Sequence, residues 1–213
     1  MIKAVIFDLD GVVINAGIFH NIAERKLLSD IGIQMTFEEI RRYAGMAPEV
    51  WFKEVLEKNN KHADPIELTK KKYEMVYDML KDNISVIPGA LELIESLKKN
   101  KIKVAIASGS SKKYIDFILS RLNLDFDVVM SSEEVSKGKP NPELFLTISK
   151  RLKIKPENCS VIEDAYFGVI AAKRAGMKCI GFVNKNSGNQ DLSEADLIID
   201  DLNELTLDKI QSL

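Results

Sequence analysis

Val5-Ile6-Phe7-Asp8-Leu9-Asp10-Gly11-Val12 sets two carboxylates two residues apart at the end of a hydrophobic run. In a strand, residues i and i+2 point the same way, so Asp8 and Asp10 crowd like charges together unless a cation lies between them. Oxygen ligands on a rigid strand end suit a hard ion such as Mg2+, and Gly11 lets the backbone turn sharply and approach a ligand. The competing reading is a solvated strand end followed by an ordinary Asp-Gly turn.

Three further polar sites at the ends of later hydrophobic runs weaken that alternative. Val104-Ala105-Ile106-Ala107 leads into Ser108-Gly109-Ser110-Ser111, a hydroxyl and permissive backbone ahead of a predicted helix, which is an anion cradle. Lys139 sits in Gly138-Lys139-Pro140-Asn141-Pro142, where two prolines stiffen the chain and Asn141-Pro142 reads as a helix cap and first-turn residue. Ser160-Val161-Ile162 runs into Glu163-Asp164, a second acidic pair after a second buried run. Two such pairs imply a metal.

The periodicity divides the chain. Ile18, Phe19, Ile22, Ala23, Leu27, Leu28 and Ile31 give one apolar helical face that Gly32 ends. Thr36-Phe37-Glu38-Glu39 has the form of a capping box, and Asp64-Pro65-Ile66-Glu67 repeats that logic, with a further helix over Glu49 to Lys58. From about Asn15 to Asn83 no alternating strand is predicted, so residues 15–84 read as a helical cap inserted into a core made of 1–14 and 85–213. After Ile87-Pro88-Gly89, helices near 90–99, 112–122, 142–152 and 166–175 alternate with apolar runs at 103–107, 127–130, 160–162 and 178–183. That alternation predicts an α/β, Rossmann-like fold, a mainly parallel sheet with helices on both faces, whose strand carboxyl ends line the ligand crevice.

These ordered motifs, Asp8 to Val12, the strand-terminal Ser108, Lys139 in Gly-Lys-Pro-Asn-Pro, and Glu163-Asp164-Ala165, resemble the haloacid dehalogenase-like hydrolase superfamily and, within it, the β-phosphoglucomutase-like phosphatases. The resemblance covers almost the whole chain. It implies that Asp8 is a nucleophile forming an aspartyl-phosphate and that Asp10 is the general acid and base. It implies Mg2+ held by Asp8, the Asp10 carbonyl and Asp164, with Glu163 bound directly or through water. Lys139 and Ser108, with backbone amides around Leu9 and Gly109, are expected to hold the phosphoryl oxygens. His20 matches a cap-helix histidine of many relatives; an ordinary helix-face histidine is its alternative. Trp51, among Val50, Phe52, Val55 and Leu56, reads as cap core.

Two departures stand out. Where the mutase has an arginine after a cap-loop glycine, this chain reads Gly45-Met46-Ala47-Pro48, so that Arg41, Arg42 or Lys53 would have to reach in from elsewhere to clamp a second phosphate. Asn15-Ala16 replaces an Asp-Ser or Asp-Thr pair, removing a hinge hydroxyl and leaving open how Asp10 is held. The reading is therefore a Mg2+-dependent phosphatase of a small phosphorylated metabolite such as a sugar phosphate; a phosphosugar mutase and a non-catalytic phosphate sensor are its alternatives.

Composition agrees. The 213 residues, 46% hydrophobic, suffice for one large domain with an insert, and 30 basic against 32 acidic side chains give no positive field for nucleic acid. No apolar run reaches the roughly 20 residues that span a bilayer. A cytoplasmic monomer or weak homo-oligomer is expected. Cys159 and Cys179, far apart and without adjacent basic residues, read as buried reduced thiols.

Overall fold

The strand that carries Asp8 lies at the centre of the sheet. A computed structural model describes residues 1–82 and 84–213, so the end of the inserted span at Asn83 lies outside the described residues. Strand β1 (Ala4–Phe7) is wholly buried and pairs in parallel with β2 (Lys103–Ser108) on one side and β4 (Cys159–Glu163) on the other. With β3 (Val128–Ser131), β5 (Lys178–Phe182) and β6 (Leu197–Ile199), the sheet order is β3-β2-β1-β4-β5-β6, all parallel.

Register fixes where the site forms. Phe7 lies opposite both Ile106 and Ile162, so the residues that follow, Asp8 onward, leave the sheet level with Ala107-Ser108 and Glu163-Asp164. The strand order also reverses direction between β1 and β4, and such a switch point opens a crevice beyond the carboxyl ends.

The period-two alternation sends β1 side chains to two different layers. Val5 and Phe7 pack with Leu93, Ile94 and Leu97 of α5 (Ala90–Lys99) and with Tyr114, Ile115 and Ile118 of α6 (Lys112–Leu122). Ala4 and Ile6 pack with Leu144, Phe145 and Ile148 of α7 (Glu143–Leu152) and with Val169 and Ala172 of α8 (Tyr166–Arg174). A five-residue helix α9 (Leu207–Gln211), capped by Thr206, closes the first layer through Ile210.

A third apolar cluster belongs to the helices inserted after β1: α1 (Gly17–Asp30), α2 (Phe37–Arg41), α3 (Pro48–Lys58) and α4 (Pro65–Leu80). Leu28, Ile40, Trp51, Phe52, Val55 and Leu68 form its centre. The expected caps form: Thr36 and Glu39 make a reciprocal capping box, and the Asp64 carboxylate accepts the Ile66 amide at 2.9 Å. Where the chain passes between the two parts, Ile14 bridges Val86 antiparallel and the Asn15 amide donates to the Ser85 carbonyl at 2.7 Å.

Strand β6 and helix α9 were not expected from the sequence. Three residues bounded by acids, with Ile198 half exposed, carry no periodic signal, and β6 forms because β5 offers an open edge. Cys159 and Cys179 are buried and unpaired on β4 and β5, and burial pushes the Cys159 thiol up to about 11.

Phe52 is fully buried at the centre of the helical cluster, so Phe52→Ala should destabilise it by about 3–5 kcal/mol. Urea unfolding followed by circular dichroism measures this, and a loss below about 1 kcal/mol would show that the cluster is not packed as described.

Candidate active site

Three carboxylates and one ammonium are buried together at the carboxyl ends of β1 and β4. The Lys139 Nζ donates to Asp8 Oδ1 at 2.6 Å, Glu163 Oε1 at 2.5 Å and the Ala107 carbonyl at 2.9 Å, which uses all three of its protons. The side chains of Lys139 and Glu163 are 0% exposed. Burial alone would lower the Lys139 pKa, but the Asp8 and Glu163 charges outweigh it and hold the ammonium above its usual range. Glycine at 168 makes this packing possible: a Cβ there would overlap the Glu163 carboxylate.

One ammonium does not balance three carboxylates. Burial pushes Asp8 up to about 7, with Lys139 opposing and Glu163 and Asp10 adding to the rise. Asp164 is raised well above the usual carboxylate range, by burial first and then by the Asp8 and Glu163 charges, although Ser187 donates a hydrogen bond to its Oδ2. Asp164 lies so close to the Gly11 turn that a Cβ on Gly11 would strike its carboxylate, and Gly11 itself sits at φ +98°. Asn184 Nδ2 pins that turn by donating to the Gly11 carbonyl at 2.9 Å.

This surplus of buried negative charge fits a divalent cation at Asp8 and Asp164, whose donor atoms are all oxygen. Among the described residues, no three His, Cys, Asp or Glu side chains are already gathered as a metal cage. Asp8 and Asp164 would hold such an ion through carboxylate oxygens and leave its other positions to water and phosphate oxygens, which is how Mg2+ is commonly held. Glu163, expected from the sequence among the metal ligands directly or through water, accepts from Lys139 at Oε1 and from the Ala165 amide at Oε2, 3.3 Å away.

Asp10 is held quite differently. Tyr114 Oη donates to Asp10 Oδ1 at 2.8 Å, Ser110 Oγ donates to Oδ2 at 2.8 Å, and His20 Nε2 lies 3.3 Å from Oδ1. Burial opposes ionisation of Asp10, yet His20, Tyr114 and Ser110 outweigh it and hold the carboxyl below its usual value. His20 Nε2 also lies 3.2 Å from Tyr114 Oη, while its Nδ1 is buried without a partner. Asn15, beside the missing hinge hydroxyl, is bonded instead to Asn186 Nδ2 at 3.1 Å.

These groups line a cavity of about 100 Å³, with Asp8, Asp10, Ser108 and Asp164 on the sheet side and His20 and Trp51 on the helical side. His20 thus faces the cleft, and Trp51 is both cluster core, stacked on Tyr43 at 5.3 Å, and cleft wall. Ser108 Oγ accepts the Ser110 amide at 3.0 Å, fixing the loop after β2. Leu9 is fully buried and its carbonyl closes the turn by accepting the Val13 and Ile14 amides at 3.0 Å. Gly109 touches the backbone of Gly45 across the cleft.

Sequence reasoning missed Tyr114, Ser187 and the buried Glu24–Lys72 pair, 2.7 Å apart, on the cleft wall. Tyr114 carried the signal of any apolar helix position. Ser187 lies in the polar run Asn184 to Gly188, and only the fold brings that run beside Asp164. Of the three basic residues weighed as substitutes for the missing arginine, Arg41 reaches the cleft, whereas Arg42 and Lys53 are exposed.

Comparison with known proteins agrees with this arrangement. A family model described as haloacid dehalogenase-like hydrolase matches residues 5–182. The β-phosphoglucomutase of Bacillus subtilis is 33% identical over 97% of this chain and 92% of its own. A phosphorylated carbohydrates phosphatase of Thermotoga maritima is 34% identical over 91% of each chain. The crystal structure of a β-phosphoglucomutase from Clostridium difficile superposes with a TM-score of 0.87 and 31% identity, covering 100% of this chain and 96% of that one. The sheet order, the strand-end acids and these matches together place the chain in the haloacid dehalogenase-like hydrolase family, among its β-phosphoglucomutase-like members.

Proposed function

We propose that this phosphoric monoester hydrolase acts on a small phosphorylated metabolite through a covalent aspartyl-phosphate on Asp8, with Mg2+ and with Asp10 as general acid and base. One observation carries the reading. Two carboxylates of the same strand end occupy opposite environments, Asp8 pushed up beside Lys139 and Asp164, and Asp10 held down by three donors. Neighbouring acids whose pKa values are driven apart are suited to different roles.

In the first displacement an Asp8 oxygen forms a bond to phosphorus as the bond to the leaving alcohol breaks, and Asp10 supplies the proton that the departing oxygen needs. In the second, water attacks the same phosphorus, Asp10 takes its proton, and the Asp8 carboxylate is released with inorganic phosphate. Lys139 keeps positive charge against the attacking oxygen, oriented by Glu163. Ser108 and the backbone amides near Leu9 and Gly109 hold the phosphoryl oxygens as charge redistributes. Asp8 and Asp164 would hold a divalent cation, which would offset part of the negative charge that nucleophile and phosphate bring together. The helical part acts as a cap: Gly45 lies against Gly109 and Ala165, which narrows the entrance and excludes water. The Bacillus and Thermotoga relatives act, by their names, on phosphoglucose and on phosphorylated carbohydrates, which supports a sugar-like leaving group here.

Release of phosphate from p-nitrophenyl phosphate should require Mg2+, stop with chelator, and disappear in Asp8→Asn. Turnover surviving in that variant would rule out the nucleophile. Asp10→Asn should retain nucleophile and metal but lose about 10²–10⁴-fold in kcat.

Because the Asp8 pKa is raised on folding, the stability it contributes is present below the unfolded value and is lost as pH rises through about 7. Mg2+ competes with protons for the same oxygens, so its stabilising effect should be larger at pH 8 than at pH 5. Thermal denaturation at both pH values, with and without Mg2+, checks this; equal shifts would place the ion away from Asp8.

Tyr114→Phe removes a donor that favours ionised Asp10, so the Asp10 pKa should rise. Every limb of the pH–rate profile governed by Asp10 then moves to higher pH. An unmoved profile with lowered turnover would mean that Tyr114 serves packing alone.

A further inference from the structure

Residues 184–190, which follow β5, reach four separate parts of the molecule. Asn184 Nδ2 holds the Gly11 carbonyl, and Asn186 Nδ2 donates to Asn15 Oδ1 where the chain enters the helical part. Ser187 is buried, and its hydroxyl donates to Asp164 Oδ2. Gln190 Nε2 donates to the Arg41 carbonyl at 2.9 Å, at the end of α2, and to the Ser187 carbonyl at 3.0 Å. Its Oε1 accepts the Tyr166 amide, the first of α8, at 3.1 Å. Both donors and the acceptor of one carboxamide thus bind the backbone of three different segments.

Little slack separates these contacts. The Ser187 amide donates to the Asn184 carbonyl at 3.0 Å and the Asn186 amide to Asn184 Oδ1 at 2.9 Å, which keeps the turn closed. Gly188, at φ +78°, lets the chain pass the stem of Arg41, where a Cβ would come within 2.8 Å of Cδ. Ser187 binds Asp164 through its hydroxyl and Gln190 through its carbonyl, so hydrogen bonds run without a gap from Asp164 through Ser187 and Gln190 to the end of α2.

We infer that Ser187 and Gln190 are positioning residues that tie Asp164 to the helical part, Ser187 orienting the Asp164 carboxylate and Gln190 fixing α2 beside the cleft, so that a divalent cation at Asp8 and Asp164 and the docked α2 stabilise each other. The inference rests on the cation placement in the phosphatase reading. A hydrogen bond to one oxygen of a ligating carboxylate sets the direction of the group, and removing such a partner weakens metal binding by about 10–100-fold. The effect has to be reciprocal: whatever the fixed α2 contributes to cation affinity, the bound cation returns to α2.

Calorimetric titration with Mg2+ alone tests the two residues. Ser187→Ala should weaken Mg2+ binding by about tenfold or more, whereas Ser187→Thr, which keeps the hydroxyl, should stay within about threefold of the wild type. Gln190→Glu keeps the shape of the side chain and loses both donors; it should weaken Mg2+ by about fivefold or more, although residue 190 touches neither Asp8 nor Asp164. Wild-type affinity in Gln190→Glu would overturn the coupling, and a Ser187→Thr protein as weak as Ser187→Ala would overturn the orienting role of the hydroxyl.

Hydrogen exchange reads the other direction of the same linkage. Mg2+ should slow exchange of the α2 amides in the wild type, and Gln190→Glu should lose most of that slowing while the amides of β1 stay protected, which separates a cut connection from a damaged fold. Wild-type α2 exchange that ignores Mg2+ would overturn the inference. Failure of the wild type to bind Mg2+ would strike the cation placement and this inference together, whereas Mg2+ bound with α2 unaffected would strike this inference alone.

Discussion

Everything at the carboxyl end of the sheet is arranged around the Lys139 ammonium. Its three protons reach Asp8, Glu163 and the Ala107 carbonyl, which belong to the ends of three adjacent strands, β1, β4 and β2. A charge taken out of water is tolerated when it is fully bonded, and the two carboxylates and one carbonyl that bond it here sit on strands already fixed in register. The ammonium therefore ties the nucleophile candidate to the neighbouring strands and sets the orientation of Asp8. What it cannot do is neutralise Asp8, Glu163 and Asp164 together. The upward push on Asp8 and Asp164 is the electrostatic sign of that deficit, and a divalent ion is what would remove it.

Asp10 shows the opposite solution two residues away. Its carboxylate has donors enough without a metal, and two of the three, Tyr114 and Ser110, come from the segment after β2. His20 comes from the inserted helix α1. With Ala16 at the hinge offering no hydroxyl, the Asp10 carboxylate takes one from Tyr114 of α6. Its burial among Tyr73, Tyr77 and His20 keeps the Tyr114 phenol protonated, as a donor to Asp10 has to be.

The sequence made strand ends legible and side-chain convergence only partly so. Asp8, Ser108, Lys139 and Glu163-Asp164 could be read as neighbours because each follows an apolar run, and in a parallel sheet all such runs end on one side. The helix limits at Ala90, Lys99, Lys112 and Leu122 agree with the periodicity to the residue. Strand β6 escaped because three residues are too few for a period, and its existence depends on the β5 edge. The direction of the Glu163 carboxylate could not be read from the sequence, because it depends on space left by Gly168, five residues later on a different element. Tyr114 and Ser187 were invisible for the same reason, since their partners lie 104 and 23 residues away.

The glycines show how the two parts of the molecule constrain each other. Gly109 has no positive φ to explain it; its lack of a side chain matters because a Cβ would come within 2.9 Å of the Gly45 carbonyl. Gly45, at φ +84°, needs its own freedom to bring that carbonyl in, and a Cβ there would press on Ala165 at 3.2 Å. Two glycines and an alanine from three distant segments therefore meet beside the cleft. Any larger residue at 109 would hold the helical part off the sheet and admit water to the space between Asp8 and Asp10, weakening the charge interactions that a dry site strengthens. The composition of the loop after β2 is accordingly set as much by the closeness of the opposing backbone as by the phosphate it is suited to hold.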